Sequence, residues 1–556
     1  MATRSMQGGD SGVTNLLNGV QYEKSTTNGI KNGYKNGYTK HYANGHIQSS
    51  KQNAYEDKYG RIIKESFEPP PFLTACLTYF GFYILMFLGY MNQVFFVPKV
   101  ATERNRDGYP TLYDRFASFF SRYVYRRVRD CWNKPICSVP GAEVTLKDRI
   151  TRDNGWTFEF TGTETTCLNL GSYNYLGFAE SSGPCADAAI QAIRDYGLAF
   201  SSSRTEYGTC PLHIELEELT AKFLGVEAAI TCGMGFATNA LNIPTLLYPG
   251  CLVLSDEKNH ASLILGLRLS GATIKVFKHN DMKHLEQQLC KAIVQGQPKS
   301  KTHTPWKKML IVVEGVYSME GTIVNLPRVI ELKKKYKAYL YLDEAHSIGA
   351  LGKHGRGVID YYDCDPKDID ILMGTFTKSF GSAGGYIAGS KGLINYLRKY
   401  SYSHKYAASM SPPVAAQIIA VLKILLGMDG TDEGQRRIAQ LARNTRYFRT
   451  RIAQMGLITY GNEDSPVVPI LVYWFSKIGA TVRRLQERKI AAVGVGFPAT
   501  PLMEGRIRIC LSAAHTKEQL DYALSTFNEI ADELGLKYSR KPRDPNPIIY
   551  EDIQLH

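Results

Sequence analysis

The sequence predicts an α/β fold with a largely parallel sheet in a large domain, a smaller C-terminal α/β domain, and a membrane helix ahead of both. Three observations predict it. From about residue 150 onward, short apolar runs of strand length alternate with longer helical stretches: Ala228-Ala-Ile-Thr-Cys232, Cys251-Leu-Val-Leu254, Thr273-Ile-Lys-Val-Phe277 and Met309-Leu-Ile-Val-Val313. Strands separated by helices indicate a parallel sheet covered on both faces. Two more such runs end in residues capable of chemistry. Ala338-Tyr-Leu-Tyr-Leu342 leads into Asp343-Glu-Ala-His346, and Ile369-Asp-Ile-Leu-Met373 leads into Gly374-Thr-Phe-Thr-Lys378. Finally, no charged residue stands between Glu68 and Lys99.

The chain begins with a polar, Asn-Gly-rich tail over 1–66, which cannot bury enough apolar surface to order itself. It has neither the early apolar segment of a cleaved signal nor the Arg- and Ser-rich character of a mitochondrial presequence. The uncharged run inside 67–98 exceeds the roughly 20 residues a membrane crossing needs, and aromatic residues mark its ends. Residues 99–150 interleave Lys99, Arg104, Arg106, Arg115, Arg122, Arg126, Arg127 and Arg129 with Phe116, Phe119, Phe120 and Tyr123. This pattern suits a basic amphipathic linker on lipid headgroups, or a helix packed on the globular part. Its charge places the large C-terminal portion in the cytosol. The large domain is expected over 151–430, the small domain over 431–540, and a loose Pro-rich tail over 541–556.

Composition narrows the function. The 556 residues are 44% hydrophobic and 21% charged, as in globular proteins. The net charge of +14 is spread along the chain without a zinc-spaced, RNA-binding or helix-turn-helix pattern, which argues against nucleic acid as a partner. The 11 cysteines lack a Cys-x-x-Cys pair and read as free thiols of a reducing compartment, neither a disulfide framework nor a metal site.

A lysine just past a buried strand, between hydroxyl residues and glycines, is an unusual place for a solvated charge. Lys378 and Asp343 are the parts that pyridoxal phosphate chemistry needs. The amine forms a Schiff base, and the carboxylate keeps the pyridine nitrogen protonated so that the ring acts as an electron sink. Both residues fall at the carboxyl ends of predicted parallel strands, where ligands of such sheets collect. Met234-Gly-Phe-Ala-Thr-Asn239 follows a strand and opens a helix, a ready phosphate site. Arg506 and Arg508 share one face of a strand, and a planar guanidinium suits a bidentate grip on a carboxylate.

The spacing Asp-x-x-His…Thr-x-Thr-Lys resembles the fold-type I pyridoxal phosphate enzymes, and more narrowly the α-oxoamine synthases. The likeness extends over roughly 168–531 and includes Pro498-Ala-Thr-Pro501, which matches a mobile loop of the family. It implies a sheet of the seven-stranded type. It also implies a site in which Gly235, Phe236, Thr375 and Thr377 hold the phosphate, His260 stacks on the ring, and His346 bonds its phenolic oxygen. By the same resemblance Glu314 is the family's acidic position and Arg508 the carboxylate grip. Asn174, in Ser172-Tyr-Asn-Tyr-Leu-Gly177, becomes a substrate contact, although many relatives place that Asn where Tyr173 stands.

The membrane segment points to the branch whose catalytic subunit condenses L-serine with a long-chain acyl-CoA at the endoplasmic reticulum. The implied partners are a homologue lacking the lysine, joined through the segment beginning Lys405-Tyr-Ala-Ala-Ser-Met-Ser-Pro412, and small regulatory membrane proteins. Two other readings stand beside this one: an aminotransferase that needs no acyl-CoA, and a non-catalytic scaffold that keeps the fold.

Overall fold

The computed structural model describes residues 54–56, 62–96, 108–110, 115–298, 302–546 and 548–553. A seven-stranded sheet organises the large domain. Its strands are β1 (Ala228–Cys232), β2 (Leu252–Asp256), β3 (Thr273–Phe277), β4 (Met309–Glu314), β5 (Tyr339–Asp343), β6 (Ile371–Thr375) and β7 (Gly385–Gly389), in the spatial order β1-β7-β6-β5-β4-β2-β3. All neighbours are parallel except β7, which runs antiparallel to β6 and β1. The central strands are apolar on both faces because helices cover both. Leu310 and Val312 join one buried cluster, while Ile311 and Val313 join the other.

Register brings the chemistry together. Glu314 lies opposite Asp343, and Asp343 opposite Met373, so the acidic ends of β4 and β5 and the end of β6 form one rim. The connection from β6 to β7 is a tight loop. It is closed by Phe376 N donating to Gly384 O at 3.0 Å and by Gly381 N donating to Lys378 O at 3.1 Å. Gly381 takes φ +57°, and a Cβ there would come within 2.5 Å of Ala179 N. Only glycine closes this turn without displacing backbone.

The small domain places Arg506–Cys510 between Val467–Leu471 and Val493–Val495, antiparallel to both. The helix Phe475–Glu487 packs on this sheet, and Lys517–Leu534 packs against it and against Glu433–Gln454.

Three boundaries differ from the sequence reading. The N-terminal tail was expected to run to residue 66, and its residues 1–53 lie outside the described ones. Ile62–Ser66 is a strand paired with Gly461–Asn462, and Glu65 is buried. Local polarity concealed a strand that only a distant partner completes. Within the expected linker, Glu143–Ile150 pairs with Glu159–Asn169 and belongs to the globular body. Within the expected C-terminal tail, Tyr550 is buried against the helix Glu433–Gln454, its hydroxyl donating to Asn444 Oδ1 at 2.5 Å.

Helix α1 (Phe72–Phe95) has 24 residues and is long and apolar enough to cross a membrane, with most of its large side chains exposed. Helix α2 (Arg115–Tyr123) buries Phe119, Phe120 and Tyr123. Phe119 stacks on Tyr90 of α1 at 4.1 Å, and Phe120 meets Phe497 edge-on at 5.6 Å. The aromatic face of α2 is thus covered by protein, the second of the two readings its sequence allowed. Lys99, Arg104 and Arg106 lie outside the described residues.

Candidate active site

Lys378 is half-buried on the β6–β7 loop, and its Nζ donates to Thr375 Oγ1 at 3.1 Å. Burial draws its ammonium down to about 8. The carboxylates of Asp343 and Glu314 oppose that shift, and Arg508 adds to it. A lysine in this state offers a neutral amine near physiological pH, as a nucleophile or base requires.

Asp343 is buried at the end of β5. Its Oδ2 accepts from Asn239 Nδ2 at 2.8 Å and its Oδ1 from Ala345 N at 2.9 Å. Asn239 is itself fixed by Tyr341, whose hydroxyl donates to Asn239 Oδ1 at 2.7 Å. A carboxylate oriented by two neutral donors is placed to face a cationic ring nitrogen.

His260 caps the helix Ala261–Leu269, its Nδ1 accepting from Ser262 N at 3.3 Å. Its imidazole pKa is lowered by burial, with Asp343 opposing and Lys378 adding. Its backbone N–H donates to Glu314 Oε1. Burial pushes the Glu314 carboxyl well above its usual range, and the nearby Asp343 pushes the same way. His346 is buried with its Nδ1 2.9 Å from the Tyr175 hydroxyl. Burial lowers its pKa far below normal, and the charges of Lys378 and Arg508 lower it further, so the ring is neutral.

The helix Gly235–Leu246 begins after Met234 with no side-chain cap. Its first N–H groups therefore remain available to an anion. A Cβ on Gly235 would lie 3.2 Å from Thr375 Cγ2 and 3.5 Å from Thr377 Cγ2, so this helix start and the lysine loop form one cradle. Phe236 is 43% exposed beside it, edge-on to His260 at 6.1 Å. Pyridoxal phosphate fits these residues. An uncapped helix start with two threonines suits its phosphate, a fixed carboxylate suits its ring nitrogen, and an amine of lowered pKa suits its aldehyde.

Arg508 lies on the central strand of the small domain, only 8% exposed, with its Cζ 4.5 Å from the Tyr173 ring centroid and no hydrogen-bond partner for Nε. Arg506 is fully buried. It donates to Glu504 O, Met319 O and Glu504 Oε2 at 2.7, 2.7 and 2.6 Å. Asn174 is not brought to the site. Its Nδ2 donates to Pro140 O at 3.1 Å and its Oδ1 accepts from Ala179 N at 3.2 Å. Sequence reasoning gave no role to Asn239, Tyr173 or Tyr175, although all three stood inside the motifs it quoted.

A seven-stranded sheet of this order, with an amine and a carboxylate on neighbouring strand ends, defines an enzyme of the fold-type I class. A family model for class I and II aminotransferases matches residues 165–527. Human serine palmitoyltransferase 3 is 52% identical over 523 residues, covering 92% of this chain and 94% of that protein. Serine palmitoyltransferase 2 of Caenorhabditis elegans is 50% identical over 503 residues, with coverage of 89% and 90%. Among solved structures, a serine palmitoyltransferase of Sphingomonas wittichii superposes with a TM-score of 0.67 at 27% identity, covering 77% of this chain and 99% of that one. A structure of SPT with a PLP internal aldimine gives a TM-score of 0.64 at 26% identity, covering 76% of this chain and all of that one (100%). The chain belongs to the serine palmitoyltransferase family.

Proposed function

We propose that this chain is the catalytic subunit of a pyridoxal phosphate-dependent serine C-palmitoyltransferase. It joins L-serine to a long-chain acyl-CoA, with loss of CoA and CO₂, to give 3-ketosphinganine, the first step of sphingolipid synthesis. The observation that carries this reading is the half-buried amine of Lys378 just past β6, on the rim that ends in Asp343 and beside the Tyr173 ring that carries the buried Arg508.

Bound pyridoxal phosphate supplies an electron sink that stabilises negative charge at the serine Cα. The chain's own groups do the rest. Arg508 holds the serine carboxylate until it departs as CO₂. Lys378 Nζ accepts the Cα proton as general base. Asp343 keeps the ring-nitrogen proton in place, and His346, fixed by Tyr175, presents a neutral imidazole to the ring oxygen. The N–H groups of Gly235 and Phe236 and the hydroxyls of Thr375 and Thr377 take the phosphate. His260 would contact the ring.

The active unit pairs this chain with a homologue lacking the lysine. Two features support this. Within the segment 405–412, residues 407–411 line a cavity of about 380 Å³ together with Met234, Ala237 and Ser403. Met234 at 62% exposure, beside Phe236, leaves apolar surface open next to the site. We place the complex in the endoplasmic reticulum membrane with the catalytic part cytosolic, supported by α1 and the basic residues after it. Small regulatory membrane proteins are further partners.

The test is an assay of the membrane complex with serine and a series of acyl-CoAs, following CO₂ and the ketone product. A keto acid formed from serine without acyl-CoA would replace this reading with an aminotransferase. Deleting residues 1–100 from the chain expressed without its partner should move it out of the membrane pellet, and unchanged sedimentation would exclude α1 as its anchor.

A further inference from the structure

Arg508 poses a physical problem. A buried guanidinium needs partners, yet one that is to receive a substrate carboxylate must keep its in-plane N–H groups unused. An aromatic face resolves the conflict. A ring stacked on the guanidinium plane stabilises the cation through its quadrupole and fixes the plane without consuming a donor. The Arg508 Cζ lies over the Tyr173 ring, 4.5 Å from its centroid; Nε has no partner, and the guanidinium also contacts the Tyr173 hydroxyl and the Cys510 thiol. The same ring has His346 edge-on at 5.0 Å and the Lys378 ammonium at 6.0 Å.

Its placement is built in. Asn169 Oδ1 accepts from Gly171 N and Ser172 N at 3.3 and 3.2 Å, which fixes the turn carrying Tyr173. The turn is then tied to the Arg508 strand: Cys510 N donates to Leu170 O at 2.9 Å, and Ala513 N to Tyr175 O at 2.7 Å. Ring and guanidinium are therefore held in mutual register by backbone hydrogen bonds on both sides.

We infer that Tyr173 is a positioning residue for the amino-acid substrate, holding Arg508 by its ring face so that the guanidinium, its Nε without a protein partner, is presented to the carboxylate. The inference rests on the role given to Arg508 under the proposed function. It assigns the larger part of the work to the ring face, with the contact between the Tyr173 hydroxyl and Arg508 secondary to it.

The full-length holoenzyme assembled with its partner provides the test. L-serine is titrated without acyl-CoA, and binding is read from the change in the cofactor's visible absorbance. Tyr173→Leu should weaken serine binding about 5- to 30-fold, the range a desolvated cation–π contact supports, with the acyl-CoA KM and cofactor content unchanged. Tyr173→Phe, which keeps the ring, should restore binding to within about 3-fold of the parent, since the hydroxyl adds little to the quadrupole. If Tyr173→Leu loses cofactor or fails to assemble, Tyr173→Met supplies the same comparison with a larger, more adaptable side chain.

Serine binding unchanged by loss of the ring, while Arg508→Lys still weakens it, would overturn the inference. Equal losses in the Phe and Leu variants would overturn it as well, by moving the work to the hydroxyl. Unchanged binding in Arg508→Lys would instead remove the Arg508 assignment beneath it.

Discussion

Arg506 and Arg508 stand two residues apart on one strand, and both are buried. At the Arg506 end every feature is structural. Its guanidinium is 0% exposed, donates to two backbone carbonyls and to Glu504, and lies 3.9 Å from Glu320. Lys258 completes this brace, with Nζ 3.2 Å from Glu320 and 3.6 Å from Glu504. At the other end Arg508 rests on an aromatic face and its Nε has no hydrogen-bond partner. Burial is nearly the same at the two ends, so burial does not mark function. The mark is the surroundings: carbonyls and carboxylates enclose Arg506, whereas Arg508 meets an aromatic ring that also borders His346 and Lys378.

The largest expected effect lies at Lys378, whose Nζ stands 6.0 Å from the centroid of the Tyr173 ring on which Arg508 rests. Lys378→Ala should abolish turnover and also the visible absorbance that borohydride bleaches, because the covalent link to the cofactor goes with the amine. Asp343→Ala should keep that borohydride-sensitive link while slowing the reaction by orders of magnitude. A complex that stays active with Lys378→Ala would make this chain a scaffold.

The Arg506 end should respond in stability. Arg506→Met leaves Glu320 short of a cation and removes three hydrogen bonds. Breaking one partner from a buried ion pair costs about 3–5 kcal/mol. Thermal unfolding should record that loss, with the serine KM of the surviving folded enzyme unchanged. A specific rise in serine KM with normal stability would erase the contrast between the two arginines.

At the Arg508 end the effect should fall on substrate. Replacing a charge-assisted bidentate contact by lysine forfeits about 1.5–3 kcal/mol. Arg508→Lys should therefore raise the serine KM by about ten-fold or more, with cofactor still bound and the unfolding midpoint little changed. Steady-state kinetics beside a thermal melt distinguish this from the Arg506 response.

Much of this site was legible because local sequence carries it. A buried strand followed by Asp343, or by a hydroxyl-flanked lysine and glycines, has few structural uses, and the alternation of strands with helices placed both at one sheet edge. What was missed depends on contacts distant in sequence. Asn239 was quoted as part of a helix start, but its bond to Asp343 spans 104 residues. Tyr173 meets an arginine on a strand far along the chain. The same cause explains the boundary errors. Ile62–Ser66 reads as polar tail until Gly461–Asn462 pairs with it, and Tyr550 reads as loose until the helix Glu433–Gln454 receives it. The two arginines are the sharpest case: period-two alternation put them on one face, and only the surrounding carbonyls and carboxylates separate a brace from a binding group.

The smallest effect is also the most specific to this comparison, because it reads the field of each arginine at Lys378. Burial sets the Lys378 amine near 8, and Arg508 is among the charges that lower it, whereas Arg506 is not. The neutral amine is the form that accepts the Cα proton, and its share rises with pH through that value. At saturating serine, turnover should therefore climb roughly ten-fold between pH 7 and 9 and then level off. Removing the positive charge in Arg508→Gln raises the lysine pKa, so the rising limb should move to higher pH by a fraction of a unit. Arg508→Lys keeps the charge and should leave the limb in place despite its effect on KM, and Arg506→Met should leave it in place despite its effect on stability. A limb that moved equally in all three variants would mean that the pH dependence follows the fold's general integrity and not the charge beside the amine.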